Sequence, residues 1–156
     1  MPVYPNGRNQ LQNSLVATKG GLPRIMGIVN VTPDSFHSGS RKMTVKSAVD
    51  AARIMLEGGA TWIDIGGEST RPGADEVSIE EELSRVIPVI RALKKEFSNA
   101  LISIDTRKAE VAKSAIMAGA SMINDVSGFR NPDMRTVAVE NKVSVCIMHM
   151  LGEPKT

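Results

Sequence analysis

The sequence is poor in the residues that mark several common classes of protein. It contains one cysteine, one tryptophan, one tyrosine and two histidines among 156 residues. A single cysteine excludes an internal disulfide. Because Cys146 lies in an apolar run, we expect it to be a buried core thiol rather than a nucleophile. The core must then be built largely from aliphatic side chains and from the nine methionines.

An excess of charge of one sign and long hydrophobic runs are also missing. The 19 Lys and Arg residues barely outnumber the 17 Asp and Glu residues and are dispersed, which argues against a nucleic-acid surface. No apolar run reaches the roughly 18 residues of a membrane span, and the N-terminus lacks the layout of a signal peptide. We therefore expect a cytoplasmic protein that has no membrane partner and forms one domain.

Several motifs that identify nucleotide and metal sites are absent. The chain has no G-x-x-x-x-G-K-[ST], no G-x-G-x-x-G after an apolar run, no C-x-x-C and no H-E-x-x-H. These motifs place phosphate-binding backbone or metal ligands at fixed spacings. Their absence argues against a nucleoside triphosphatase, a Rossmann dehydrogenase and a structural zinc site.

The sequence does contain a repeated alternation of short apolar runs and helical patterns. Five apolar runs predict buried strands, at 25–31, 61–65, 101–105, 121–125 and 143–148. The helices between them are predicted to begin at side-chain caps, namely Thr44, Ser78, Thr106 and Asn131. Glycines end two of them, at Gly58-Gly59 and Gly119. This order is typical of a parallel sheet covered by helices, either an open doubly wound sheet or a (β/α)8 barrel.

Helix interiors and strand ends carry further information. Pro88 lies within the second helix and should kink or split it.

Each predicted strand also has a polar residue at its carboxyl end, and these are Asn30, Asp64, Asp105, Asn124 with Asp125, and His149. One such residue is commonly a cap or a turn former. Five at corresponding positions favour a shared polar site, which both architectures build at that end.

Glycines and hydroxyls follow the second strand directly. The run Gly66-Gly67-Glu68-Ser69-Thr70 offers free backbone N–H groups and short hydroxyl donors. Such a segment suits a phosphate or another oxyanion, although an ordinary strand-to-helix turn has the same glycine content.

Two long segments resemble the signatures of the dihydropteroate synthases. They are MGIVNVTPDSF at 26–36 and DIGGESTRPG at 64–73. Shorter matches follow in the same order and spacing, IDTRK at 104–108, INDVSG at 123–128 and MHM at 148–150. The resemblance extends over about residues 23–156.

The resemblance implies a (β/α)8 barrel that acts in folate biosynthesis. Such an enzyme joins 4-aminobenzoate to 6-hydroxymethyl-7,8-dihydropterin pyrophosphate and releases pyrophosphate. It also implies a magnesium cofactor, small-molecule substrates as the partners, sensitivity to sulfonamides and a homodimer in the intact enzyme. No covalent enzyme intermediate is needed, which agrees with the lack of a convincing nucleophile.

Matching residues acquire roles from the same resemblance. Asn30 would be the Mg²⁺ ligand, because Mg²⁺ prefers oxygen donors and takes its other ligands from water and substrate phosphates. Asp105 and Asn124 would hydrogen-bond the edge of the pterin, since a carboxylate accepts and an amide both donates and accepts. Thr70 would donate to the pyrophosphate.

The remaining matches would surround the substrates. Phe36 and Pro72 would wall the 4-aminobenzoate ring, and Met148 would pack on the pterin face unless it is simply a core residue. Asp64 would help to orient the two loops unless it is a buried structural Asp. His149 would lie behind the substrate contacts, and hydrogen bonding among the strand ends is its alternative role.

Two departures from the family pattern lead to further expectations. Residues 37–40 read His-Ser-Gly-Ser where the family more often has Ser-Asp-Gly-Gly. The sequence also shows five β/α units where a barrel of this type has eight. We therefore expect a loose N-terminal arm or short hairpin over 1–22 and an incomplete (β/α)8 barrel over 23–156. Alone, this chain should be marginally stable, self-associating and nearly inactive.

Two other functions remain open at this point. One is a pterin-binding barrel of the methyltetrahydrofolate:corrinoid methyltransferase type, which shares the Asp and Asn contacts but not the loop at 69–72. The other is a non-catalytic partial barrel that binds pterin weakly or assembles with a partner chain.

Overall fold

A computed structural model describes residues 23–32, 41–69 and 75–148. The strands are β1 (Met26–Asn30), β2 (Trp62–Gly66), β3 (Leu101–Asp105), β4 (Met122–Asp125) and β5 (Ser144–Ile147). The helices are α1 (Arg41–Glu57), α2 (Ile79–Glu96), α3 (Ala109–Ala118) and α4 (Pro132–Asn141). The arm or hairpin predicted for 1–22 lies outside the described residues.

The five strands form one parallel sheet in which neighbours in sequence are neighbours in space. Their order is β1-β2-β3-β4-β5, and all four pairings are parallel. An open doubly wound sheet reverses its strand order at a switch point, whereas a (β/α)8 barrel adds strands sequentially. The expected fold class, an incomplete (β/α)8 barrel, is therefore confirmed, with five strands and four helices in the described residues.

One face of the sheet packs against the helices and forms the core. Alternate residues of the central strands have no exposed surface, and these are Ile63, Ile65, Ile102 and Ile104. They join a cluster with apolar residues of the helices, such as Leu93 of α2. Burying each such side chain contributes about 1.5–3 kcal/mol. Because strand side chains alternate, the residues between them face the opposite, inner side of the sheet.

Ser78 caps α2 as predicted, but Glu81, three residues later, does not complete the capping box that a Ser and a Glu at this spacing can form. Ser78 Oγ accepts a hydrogen bond from the Glu81 N–H at 3.1 Å, as a capping residue should. The Glu81 carboxylate, however, binds Arg85 Nε at 3.1 Å instead of reaching back to Ser78. The reciprocal bond expected from the capping box is therefore replaced by a pairing one helical turn onward.

Pro88 does not split α2, contrary to one of the two expected outcomes. The helix runs as one element from Ile79 to Glu96 with Pro88 inside it. Fully buried residues on both sides of the proline, Val86 and Val89, tie the two halves to the same core. Tertiary packing thus overrides the local preference of proline.

Two of the predicted helix caps are wrong. The first helix begins at Arg41, so Thr44 lies inside it; the preceding residues are good helix formers. The third helix is capped at Lys108 rather than at Thr106. The Thr106 N–H donates to Asn124 O at 3.1 Å, which extends the β3–β4 ladder by one residue and delays the helix.

The glycine and asparagine signals at the other helix ends are confirmed. Gly59 and Gly119 have φ of 97° and 123°, the backbone region that glycine enters without strain. Asn131 accepts from the Asp133 N–H at 2.9 Å, and Pro132 is the first residue of α4. In the part of the chain that the structure describes, no helix is long and apolar enough to cross a membrane.

Candidate functional site

Three of the predicted site residues lie in one row across the inner face of the sheet. In the strand register Asn30 pairs with Gly66, Gly66 with Asp105, and Asp105 with Asn124. Partners in a parallel ladder point to the same side, and this side is opposite the helix-packed isoleucines. The row lies at the carboxyl ends of β1 to β4, where barrels of this type carry their sites.

Gly66 leaves an open slot in the middle of that row. A Cβ placed on Gly66 would lie 3.3 Å from Asn30 Oδ1 and 3.5 Å from Asp105 Oδ2. The amide oxygen and the carboxylate therefore converge over bare backbone. Any larger residue at 66 would fill the space between them, so the glycine is part of the shape of the site.

Asp64 does not belong to this row, which corrects the expectation that all the strand-end residues lie level. It pairs in register with Ile28 and Ser103, two residues below Gly66. The reason is that β2 continues to Gly66, one residue past the predicted end. Asp64 is only 3% exposed, and its Oδ2 accepts from Asn124 Nδ2 at 3.0 Å. It therefore supports Asn124 from beneath.

Asp64 and Asp105, the two acids of the inner face, each have a carboxylate oxygen, Oδ1, that receives no hydrogen bond within the described residues. Burial raises the pKa of Asp64, and the Ser103 hydroxyl and Asn124 amide only partly oppose this rise. Burial, followed by the charge of Asp64 and of more distant acids, raises the pKa of Asp105 to about 7. The site is thus prepared for a ligand that brings hydrogen-bond donors.

A second acidic group, which the sequence reasoning missed, lies beside the carboxyl end of β2. Glu68 and Glu82 are both buried, and the Lys108 ammonium lies between them, 2.9 Å from Glu68 Oε2 and 2.8 Å from Glu82 Oε2. Arg107 Nη2 also approaches Glu68 Oε1 at 3.1 Å. Lys108 belongs to a segment that matched a family motif, but no sequence pattern indicated its partners.

In this second group the acids are paired with cations. The pKa of Glu68 is therefore lowered, whereas those of Asp64 and Asp105 are raised. Burial alone would raise the pKa of Glu68, but the Lys108 hydrogen bond, the Val77 amide and the Arg107 charge more than offset it, so the pKa is lowered. Burial would lower the pKa of Lys108, and its bonds to Glu82 and Glu68 raise it instead. Glu68 and Lys108 are therefore held in their charged forms at neutral pH.

Asp125 has a structural role in spite of its position beside Asn124. It is fully buried and accepts from the backbone N–H groups of Ser127 at 2.7 Å and Phe129 at 3.0 Å. Phe129 has a positive φ of 58°, and the second of these bonds holds that strained turn in place. Of the two polar residues that end β4, only Asn124 faces the site.

Cys146 is exposed, so the expectation of a buried core thiol is wrong. It pairs in register with Asn124 and therefore faces the inner side of β5, an edge strand of the described sheet that no second strand covers. Met148, just past the end of β5, is also exposed. The other predicted contacts, Phe36, Thr70, Pro72 and His149, lie outside the described residues.

The donor set of the row is compatible with magnesium. Among the described residues, no three His, Cys, Asp or Glu side chains come close enough to hold a metal ion. Mg²⁺ needs only one or two protein oxygens when substrate phosphates and water complete its shell. The exposed side chain of Asn30, whose Oδ1 faces the slot above Gly66, offers one such oxygen.

Comparison with known proteins places this geometry in a family. The profile of the family described as pterin binding enzyme matches residues 26–156. The dihydropteroate synthase of Escherichia coli K12 is 51% identical over 134 residues, which are 86% of this chain and 47% of the relative. The chain therefore spans about half the length of the curated relatives it matches.

Solved structures agree with this relationship. Xanthomonas albilineans dihydropteroate synthase with 4-aminobenzoic acid has a TM-score of 0.78 and 50% identity, and the match covers 84% of this chain and 48% of that one. Yersinia pestis dihydropteroate synthase in a sulfonamide drug complex has a TM-score of 0.76 and 50% identity, and the match covers 85% of this chain and 48% of that one. With the family profile matching most of its length, the chain belongs to the pterin binding enzymes.

Proposed function

We propose that this chain carries the metal-binding and pterin-binding part of a dihydropteroate synthase. The reaction is the condensation of 6-hydroxymethyl-7,8-dihydropterin pyrophosphate with 4-aminobenzoate, which yields dihydropteroate and pyrophosphate. The observation that carries the proposal is the row formed by Asn30, Asp105 and Asn124 around Gly66. Relatives of about 50% identity are dihydropteroate synthases, and the family profile extends over both signature segments, 26–36 and 64–73.

Asp105 and Asn124 would read the edge of the pterin. A pterin edge presents N–H and NH₂ donors beside ring acceptors, and Asp105 has a carboxylate oxygen without a donor among the described residues. Ligand donors would favour the ionised carboxylate and so lower the pKa of Asp105 from about 7. Binding near neutral pH would then release part of a proton.

Asn30 would be the protein ligand of Mg²⁺, with water and the substrate pyrophosphate completing the shell. When bound, the ion supplies positive charge to the departing pyrophosphate. Asn30 and Asp105 flank the same glycine. Their geometry would therefore hold the pyrophosphate end and the ring end of one substrate at a fixed separation, and catalysis would come from this positioning.

Residues outside the described part complete the proposal on the strength of the motif match alone. Thr70 would donate to the pyrophosphate, and Phe36 and Pro72 would wall the 4-aminobenzoate ring. His149 would orient neighbouring contacts. We further propose a cytoplasmic location and a homodimer for the intact enzyme, and sulfonamide sensitivity in keeping with the complexed relative.

The test measures pterin binding and product formation separately. The chain, with its intact mass confirmed, is titrated with the pterin pyrophosphate and Mg²⁺ by calorimetry. It is then incubated with both substrates, alone and with the C-terminal half of the Escherichia coli relative, and dihydropteroate and pyrophosphate are measured. We expect pterin binding by the chain, and product when the second half is supplied.

Matched variants decide which residues are responsible. Asp105→Asn and Asn124→Ala should each weaken pterin binding about 10- to 100-fold, the loss expected for a hydrogen bond to a charged or buried group. Arg53→Met, which breaks an ion pair between α1 and α2, should leave binding unchanged. Unchanged binding in both site variants would refute the proposal. Pterin binding without pyrophosphate release in the complemented protein would favour a methyltransferase-type or non-catalytic barrel.

A further inference from the structure

We propose that Lys108 is a positioning residue that fixes both ends of the β2–α2 connection relative to Asp105. Its consequence for substrate binding rests on the proposed function, whereas the geometry does not. The ammonium joins three elements, namely the residues after β2, the first turn of α2 and the start of α3.

Glu68 already ties the two ends of the connection together. It lies just after β2, and its Oε1 accepts from the N–H of Val77, which lies just before the cap of α2, at 3.1 Å. One carboxylate thus connects two positions that are separated by eight residues in the sequence. The loop ends are held at the distance that this carboxylate allows. Thr70, the proposed pyrophosphate donor, lies between them in the sequence.

Lys108 holds the Glu68 carboxylate in place through an ion pair. Its side chain is only 14% exposed, and it contacts Glu68 Oε2 and the fully buried Glu82 Oε2. Two buried carboxylates without a cation between them would repel each other and seek water. Arg107 is 46% exposed and reaches only Oε1 of Glu68, so it cannot serve Glu82 in the same way.

The backbone of Lys108 is in turn fixed to the site. Its N–H donates to Thr106 Oγ1 at 3.1 Å, and the Thr106 N–H donates to Asn124 O at 3.1 Å. Lys108 follows Asp105 by three residues. The ammonium therefore relates the loop ends to the two proposed pterin contacts through a short and rigid path.

A test must separate positioning from mere stabilisation. Replacing a buried ion pair by apolar residues of similar volume often preserves the fold, whereas removing one partner does not. The double variant Lys108→Met/Glu82→Met removes the ion pair and leaves Glu68 with Val77 and Arg107. Lys108→Arg keeps the charge and is the conservative variant. Arg53→Met, which breaks the exposed pair with Glu96, is the control.

The first readout is amide hydrogen exchange of Val77 in the full chain. In the double variant we expect Val77 to exchange about tenfold faster or more, because its acceptor is no longer held, while the amides of Ile63 and Ile65 in β2 change by about twofold at most. Val77 in Lys108→Arg should exchange at a rate between those of the double variant and the original sequence. Val77 in Arg53→Met should exchange as it does in the original sequence. Unaltered Val77 exchange, or an equal rise throughout β2, would overturn the proposal.

The second readout is the kinetics of the chain complemented with the C-terminal half of the relative. For the double variant we expect KM for the pterin pyrophosphate to rise about tenfold with kcat within about threefold, since uniform binding is lost rather than transition-state contacts. Unchanged KM with faster Val77 exchange would refute the effect on substrate. If the unchanged chain shows neither pterin binding nor product, the proposed function fails, and Val77 exchange still decides whether Lys108 positions the loop ends.

Discussion

Two pairs of acids lie at the same end of the sheet and differ in what surrounds them. The inner acids, Asp64 and Asp105, face the row of proposed substrate contacts, and among the described residues no cation is paired with either. The outer acids, Glu68 and Glu82, lie on the helix side and share Lys108. Asp64, Glu68 and Glu82 are buried and Asp105 is half-buried, but only the outer pair has its charge compensated within the described chain.

The pKa values record this difference. Burial and neighbouring acids raise the pKa of Asp105 to about 7, whereas Lys108 and the Val77 amide lower that of Glu68 against the effect of burial. Compensated charge stabilises an arrangement of the chain itself. Uncompensated charge costs stability until a ligand provides donors, and functional sites commonly bear this cost. The outer acids therefore stabilise the arrangement of the chain, whereas the inner acids are available to the ligand of the proposed function.

The largest expected effect comes from removing the cation of the outer acids. Lys108→Met should lower the free energy of unfolding by about 3–5 kcal/mol, because it leaves two buried carboxylates without their partner. Chemical denaturation measures the loss. The exposed ion pair between Arg53 and Glu96 is the control, and Arg53→Met should lower the free energy of unfolding far less, because surface ion pairs contribute little. If both variants lost a similar free energy of unfolding, Lys108 would stabilise the outer acids no more than a surface ion pair does, contrary to this prediction.

Packing around the outer acids gives the next effect. A Cβ on Gly67 would lie 2.8 Å from Val86 Cγ1 and 3.0 Å from Glu82 Cγ. Gly67→Ala should therefore cost about 1–3 kcal/mol of stability, as overpacking does. At Gly27 the nearest atom, Met55 Sδ at 2.5 Å, is at the end of a flexible side chain. Gly27→Ala should cost less, and thermal unfolding of both variants checks the order.

Neutralising an inner acid should stabilise the chain in a pH-dependent way. The raised pKa of Asp105 means that the folded state holds its proton over a range, from 3.8 to about 7, in which the unfolded state has lost it. Stability contributed by this residue therefore falls as pH rises through that range. Asp105→Asn should be more stable by about 1–3 kcal/mol near pH 8, after allowance for solvent screening, and equal near pH 4.

Denaturation of Asp105→Asn at both pH values, with Glu140→Gln as an exposed control, tests this reversal of the usual effect of mutation. An advantage that persists unchanged near pH 4 would show that relief of charge is not its cause. Pterin binding should weaken in the same variant, so that stability and function change in opposite directions.

The smallest expected effect concerns the hydrogen bond that Asn124 donates to Asp64. Asn124→Ala removes the Nδ2–H that donates to Asp64 Oδ2 and should cost about 0.5–1.5 kcal/mol. Without that donor the pKa of Asp64 rises further, so the loss should be greater near pH 8 than near pH 5. Asn141→Ala, which removes a bond to the Val137 carbonyl, is the matched amide control and should show no such dependence on pH.

The inner row was within reach of the sequence because it follows from local patterns. Apolar runs located the strands, and the polar residues at their carboxyl ends identified Asn30, Asp105 and Asn124. The level of Asp64 could not be predicted, because side chains in a strand alternate and a boundary moved by one residue changes which residues share a row. Cys146 was predicted to be buried because it lies in an apolar run. Such a run does not reveal that its strand lies at the edge of the described sheet.

The outer acids were beyond the reach of sequence patterns. Lys108 meets Glu82 and Glu68 from 26 and 40 residues away, and both contacts exist only once α2 and the start of α3 are packed side by side. Thr106 shows the converse, because a good local cap was overridden by one extra ladder bond to Asn124. Long-range packing decided each of these cases.

Gly66 has a consequence for drug resistance. Asn30 and Asp105 stand on either side of it, two strand spacings apart, or about 10 Å between backbones, and a rigid sheet sets that distance. Under the proposed function, a competitive inhibitor that enters the slot would touch the same bare backbone that the pterin substrate would need. A mutation at residue 66 that shuts out the inhibitor would then shut out the substrate too. Resistance mutations would have to arise at other positions, and inhibitors that occupy the slot should keep their effect.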